Sequence, residues 1–198
     1  MPPGIQILFG IRMARHTFLF TDLVGFTALT ATRGDDSAAD VALGFYRRVR
    51  DLLGQYCADE VKTMGDALML RCDAPADAVR LGLRIVRELE EDPGMPPVRV
   101  GMNTGPAVER EGDWYGATVN IAARLCAAAG GGEVLVSDAT RVAAGPIRKV
   151  TLGDRRLHWL KNVTEPVPAH LALERECGLG PLRALRSLKP RSATPGMA

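Results

Sequence analysis

Residues 16–20, HTFLF, form an apolar, aromatic and β-branched run, the pattern of a buried strand. The chain then turns around Gly25, over residues 21–27, into a helix. Between 38 and 56 the apolar residues Val41, Phe45, Val49, Leu52 and Tyr56 recur at helical spacing. Residues 60–63 and 66–71 read as strands joined at Met64-Gly65, a two-residue hairpin. In that register Thr63 faces Asp66 and Lys62 faces Ala67, so Lys62 and Asp66 point to opposite faces of the sheet. A helix is expected over 75–91, with Pro75 near its start and Val79, Leu83 and Val86 on one side. Residues 98–104 and 106–110 read as strands around Gly105. Residues 116–129 read as a helix stopped by three glycines at 130–132, and 133–136 as a strand. Ser137 is placed to cap a short helix, and two or three further strands reach residue 173. The order β-α-ββ-α-ββ-α-β predicts an α+β fold, a mixed, largely antiparallel sheet flanked by helices.

Composition adds limits. The chain has 198 residues, 46% hydrophobic and 24% charged, enough for one domain with a core. The expected division is an extension over 1–14, a domain over 15–175 and a tail over 176–198. The net charge is +2. From Gly178 to Ala198 the chain carries Arg183, Arg186, Lys189 and Arg191 without an acid, so the body is close to neutral and presents no nucleic-acid surface. The tail contains three prolines and at most a helical turn over 182–188. Cys57, Cys72, Cys126 and Cys177 show no metal-ligand spacing and read as reduced core thiols, which fits the cytoplasm. Residues 4–11 are apolar, but they and every other run fall short of a membrane span.

Three segments carry candidate chemistry. In Phe20-Thr21-Asp22-Leu23-Val24-Gly25-Phe26-Thr27 an acid follows an apolar strand and precedes a glycine turn into a helix. That places a carboxylate beside helix-terminal N–H groups able to hold phosphate. In Lys62-Thr63-Met64-Gly65-Asp66 a second carboxylate follows a tight turn, and paired carboxylates at strand ends suit divalent cations. In Gly112-Asp113-Trp114-Tyr115-Gly116-Ala117-Thr118-Val119-Asn120-Ile121-Ala122-Ala123-Arg124, Asn120 and Arg124 stand four apart, on one helix face. A helix-borne arginine suits charge on a phosphoryl group, and an asparagine suits a sugar or phosphate oxygen. Taken singly, each segment also reads as a cap, a surface hairpin or an exposed helix face.

In this order the three resemble the class III nucleotidyl cyclase catalytic domain, the adenylate and guanylate cyclase family, over residues 16–173. GEVLVSDATR and LKNVTEPVPAHLAL resemble its closing strands. The resemblance implies a ferredoxin-like core, with Asp22 and Asp66 as ligands of two divalent cations, Mg²⁺ or Mn²⁺. It makes Lys62 and Asp113 the purine selectors, Asn120 the ribose-orienting residue and Arg124 the transition-state arginine. Lys161 would bind triphosphate, although the family often has glycine where Asn162 stands, and Arg155, Arg156 or His158 are alternatives. The backbone of Leu23, Val24, Gly25 and Phe26 would cradle phosphates. In the family these residues come from two domains, so a chain carrying all of them implies a head-to-tail homodimer with two sites.

The purine edge sets the expected substrate. Adenine accepts at N1 and donates from its exocyclic amine, and guanine does the reverse. Lys62 only donates and ionised Asp113 only accepts, which complements adenine. Family members acting on GTP typically carry an acid at the lysine position. The implied activity is adenylate cyclase, with ATP converted to 3′,5′-cyclic AMP and pyrophosphate. A guanylate cyclase and a non-catalytic nucleotide-sensing module on the same fold are the alternatives.

Overall fold

The computed structural model describes residues 14–175. The chain runs β1 (Arg15–Leu23), α1 (Phe26–Arg33), α2 (Asp35–Leu53), β2 (Ala58–Met64), β3 (Ala67–Cys72), α3 (Pro75–Glu90), β4 (Val98–Pro106), β5 (Val108–Arg110) and β6 (Asp113–Tyr115). It continues through α4 (Ala117–Ala128), β7 (Val134–Ser137), α5 (Asp138–Ala144), β8 (Val150–Leu152), β9 (Arg156–His158) and β10 (Val167–Glu174). The main sheet has the order β2-β3-β1-β4-β7-β10-β8, with β9 also on β10. Only the β4–β7 pairing is parallel. This is the expected mixed, largely antiparallel sheet.

β1 sits mid-sheet and is buried on both sides, which is why its sequence is apolar without alternation. Leu19 and Leu23 pack with Phe45 and Val49 of α2 and Leu81 and Ile85 of α3. Phe18 and Phe20 point the other way, onto Val119, Ala122 and Cys126 of α4. The sheet therefore has α2 and α3 on one face and α4 on the other. α4 lies almost on the strands. A Cβ at Gly101 of β4 would fall 1.9 Å from the backbone nitrogen of Cys126, so only glycine permits this approach. Ser137 caps α5 as expected, its hydroxyl accepting from the Thr140 N–H.

Several boundaries differ from the sequence expectation. β1 runs on to Leu23, because Thr21, Asp22 and Leu23 still pair with β4, so Asp22 lies inside the strand. β4 continues through Gly105 to Pro106. The strand that follows it pairs with β6, which was not anticipated, and not with β4. The hairpin closes one residue later than predicted. Met64 pairs with Ala67, which leaves Gly65-Asp66 as the turn, with Gly65 at φ +61°. Lys62 consequently pairs with Met69, not Ala67, and a register shift between Glu60 and Lys62 adjusts the strand. Cys57 is exposed and is not a core thiol, whereas Cys72 and Cys126 are buried. Burial pushes the Cys126 thiol up to about 12, so it stays protonated and unreactive. No helix among the described residues is long and apolar enough to cross a membrane. The apolar run at 4–11, Cys177 and the tail lie outside the described residues.

Candidate active site

The candidate residues gather in three places along α4. The first is the C-terminal end of β1. Asp22 stands on the α4 face, by period two from Phe18 and Phe20, and Asp66 lies beside it in the β2–β3 turn. Burial first, and the Asp22 charge second, push the Asp66 carboxyl above its ordinary value. Both effects disfavour a second negative charge, and a bound cation would reverse them. Among the described residues no third carboxylate, histidine or cysteine completes a metal cluster. Two adjacent carboxylates still fit hard divalent cations that take their remaining oxygens from phosphate or water.

Two residues that sequence reasoning passed over shape this end. Arg99 of β4 is the cross-strand partner of Asp22. Its Nε donates to Asp22 Oδ2 at 2.7 Å, Nη2 donates to the same oxygen, and Nη1 donates to the Ala127 carbonyl at 3.1 Å in the last turn of α4. Tyr46 of α2 is buried and its hydroxyl donates to the Gly65 carbonyl, which pins the turn that carries Asp66. Beneath it, Arg50 lies over the Tyr46 ring and forks onto Glu60 at 2.7 and 2.9 Å.

The second place is the β5–β6 hairpin, near the other end of β1. Lys62 Nζ donates to Asp113 Oδ2 at 2.5 Å, and the Trp114 N–H donates to Asp113 Oδ1 at 2.8 Å. The Lys62 ammonium holds the Asp113 carboxyl below its ordinary value, so it is an acceptor at neutral pH. Trp114 packs edge-on against His16, with ring centroids 4.7 Å apart, and against Phe18. His16 lies six residues from Asp22, about 20 Å along an extended strand.

The third place is the exposed side of α4. Asn120 is exposed and Arg124 half-buried. Neither side chain has a hydrogen-bond or ion-pair partner among the described residues. Lys161 follows Leu160, which is buried against Leu125 of α4 and Ala129 just beyond it. This brings Lys161 alongside the helix, exposed and without an ion pair among the described residues. Asn162 adopts φ +59°, a conformation open to glycine and asparagine alike. Replacing the family's glycine by asparagine is therefore tolerated by the backbone. Arg155 and Arg156 are also exposed.

Of the expected phosphate cradle, the Leu23 and Val24 N–H groups are already committed to the Asp66 carbonyl at 3.3 Å and the Pro97 carbonyl at 2.8 Å. Gly25, at φ +82° before α1, and Phe26 remain as candidate donors. The expectation that Lys62 and Asp66 point oppositely does not hold, since Asp66 sits in the turn. Through Met69 and Phe20, Lys62 shares a sheet face with Asp22. By row Lys62 stands level with Phe20, two residues along β1 from Asp22, and its ammonium is engaged with Asp113, which precedes α4, whereas Asp22 is tied through Arg99 to the last turn of α4. A cavity of about 820 Å³ opens elsewhere, beside Ile121, Asp138, Val142 and Val167, and none of the candidate residues lines it.

Residues 12–155 match the adenylate and guanylate cyclase catalytic domain family. A pH-sensitive adenylate cyclase of Mycobacterium tuberculosis is 39% identical over 129 residues, covering 65% of this chain and 32% of that protein. An adenylate cyclase of Streptomyces coelicolor is 31% identical over 176 residues, covering 86% of this chain and 46% of its own length. The chain thus spans less than half of either relative. A solved structure of a Trypanosoma brucei adenylate cyclase in its monomeric state is 29% identical, with a TM-score of 0.69 over 83% of this chain and 90% of that one.

Proposed function

The chain belongs to the adenylate and guanylate cyclase catalytic domain family, and from that premise we propose that it is an adenylate cyclase working as a head-to-tail homodimer. The observation that carries the choice of substrate is the Lys62–Asp113 pair, one donor and one acceptor held side by side at 2.5 Å. Spread along an adenine edge, Lys62 donates to N1 and Asp113 accepts from the exocyclic amine. A guanine edge would set donor against donor and acceptor against acceptor, at about 1–3 kcal/mol per unmet group. Relatives named adenylate cyclase support the same reading.

Bound at Asp22 and Asp66, two divalent cations, Mg²⁺ or Mn²⁺, would acidify the ribose 3′-hydroxyl and hold the triphosphate oxygens. In the reaction the 3′-oxygen bonds to the α-phosphorus, the α–β bridging bond breaks and pyrophosphate leaves. The hydroxyl proton passes to water or to a substrate phosphate. Asn120 orients the ribose, and Arg124 donates to the α-phosphoryl oxygens as their charge grows. Lys161 and the free N–H groups of Gly25 and Phe26 hold the triphosphate.

The dimer is supported by the spacing within one chain. Asp113 of the selector pair precedes the N-terminal end of α4, whereas Asp22 is tied through Arg99 to its last turn, so the two pairs address opposite ends of that helix. A two-fold partner would bring its own carboxylates to this chain's Asn120 and Arg124. Incubating the purified chain with ATP and Mn²⁺ tests the reaction. Cyclic AMP and pyrophosphate are expected in equal amounts, and a chelator should abolish both. Release of ADP or AMP instead would refute the chemistry.

A further inference from the structure

We infer that Arg99 is a built-in competitor for the metal site, balancing the charge of Asp22 in the metal-free chain and weakening metal binding there. The inference rests on the reading of Asp22 as a metal ligand. Arg99 gives two N–H groups to Asp22 Oδ2 and is tethered by its third nitrogen to the Ala127 carbonyl. The Arg99 and Asp22 side chains are 28% and 18% exposed, so water and salt screen the pair only partly. A guanidinium on a carboxylate oxygen does two things to an incoming cation. It occupies a lone-pair direction that the cation would use, and it sets a positive charge within a few ångströms of the metal position. The tether keeps that charge in place. The Ala127 carbonyl is at the negative end of α4, where a cation is favoured, so Arg99 does not drift into solvent when Asp22 is engaged. The cross-strand register of β1 and β4 fixes the contact in the fold.

Equilibrium Mn²⁺ binding without nucleotide, followed by the electron paramagnetic resonance signal of the free ion, reads this directly. Arg99→Gln should bind Mn²⁺ about tenfold more tightly than the natural chain. Arg99→Lys, which keeps the charge but loses the two-pronged contact, should fall between them, and it serves if the glutamine variant does not fold. Asp22→Asn should lose the tight binding in either background. If Arg99→Gln binds no more tightly while Asp22→Asn still abolishes binding, the competitor role is wrong and the metal site stands. If Asp22→Asn leaves binding unchanged in both backgrounds, the metal assignment fails and the inference with it.

Discussion

A one-to-one mixture of an Asp22→Ala chain and an Arg124→Ala chain is expected to recover about a quarter of the natural activity. Each variant alone should fall by about a hundredfold or more, the usual cost of a lost electrostatic contact in a transition state. Random pairing makes half the dimers mixed. In a mixed dimer one site carries both lesions, while the other takes its carboxylates from the Arg124→Ala chain and its arginine from the Asp22→Ala chain, and is intact. The structure supplies the reason to expect this. Asp22 is already satisfied within its own chain by Arg99, and Arg124 has no partner among the described residues. Asp113 precedes the start of α4, and Asp22 is tied through Arg99 to its last turn. A mixture as inactive as its parents would contradict the shared site. Activity should also fall on dilution, because dissociated chains hold no complete site.

Exchanging the polarity of the selector pair is expected to move substrate preference by at least about a hundredfold toward GTP. In a Lys62→Glu/Asp113→Asn double variant, the introduced carboxylate accepts from guanine N1 and the introduced amide donates to O6. Both adenine contacts become mismatches at the same time. The pair is set between β2 and the β5–β6 hairpin, and the replaced side chains leave the Trp114–His16–Phe18 packing untouched. The readout is the ratio of kcat/KM for ATP and GTP, with the melting temperature as a check on the fold. A ratio unchanged in a folded variant would show that Lys62 and Asp113 do not read the base.

The helices that build the site were legible because their signals are local. The apolar spacing of α2, the proline and one-sided valines and leucine of α3, and the Asn120–Arg124 spacing on α4 all lie within single elements. The β2–β3 hairpin was misread by one residue because Met64-Gly65 and Gly65-Asp66 both place a glycine in a two-residue loop. The Gly-Asp choice was the better turn signal. That slip turned Asp66 from a strand residue into a turn residue and removed the argument for opposed faces. Arg99 could not be read at all. A lone arginine between Val98 and Val100 looks like an ordinary strand residue. Its meaning depends on the register of β1 against β4, a pairing 77 residues apart in sequence. Tyr46 was hidden in the same way, since its hydroxyl answers a carbonyl in a turn 19 residues away. Asn162 was a departure from the family's glycine on paper and became ordinary once its backbone angle was known.

The most direct measurement offers ATP and GTP together, in equal amounts, to the concentrated natural chain with Mn²⁺ or Mg²⁺, and quantifies both cyclic nucleotides. Two mismatched base contacts predict that cyclic AMP exceeds cyclic GMP by about a hundredfold. Equal yields, or no cyclic product from a chain shown to be folded and dimeric, would contradict the account.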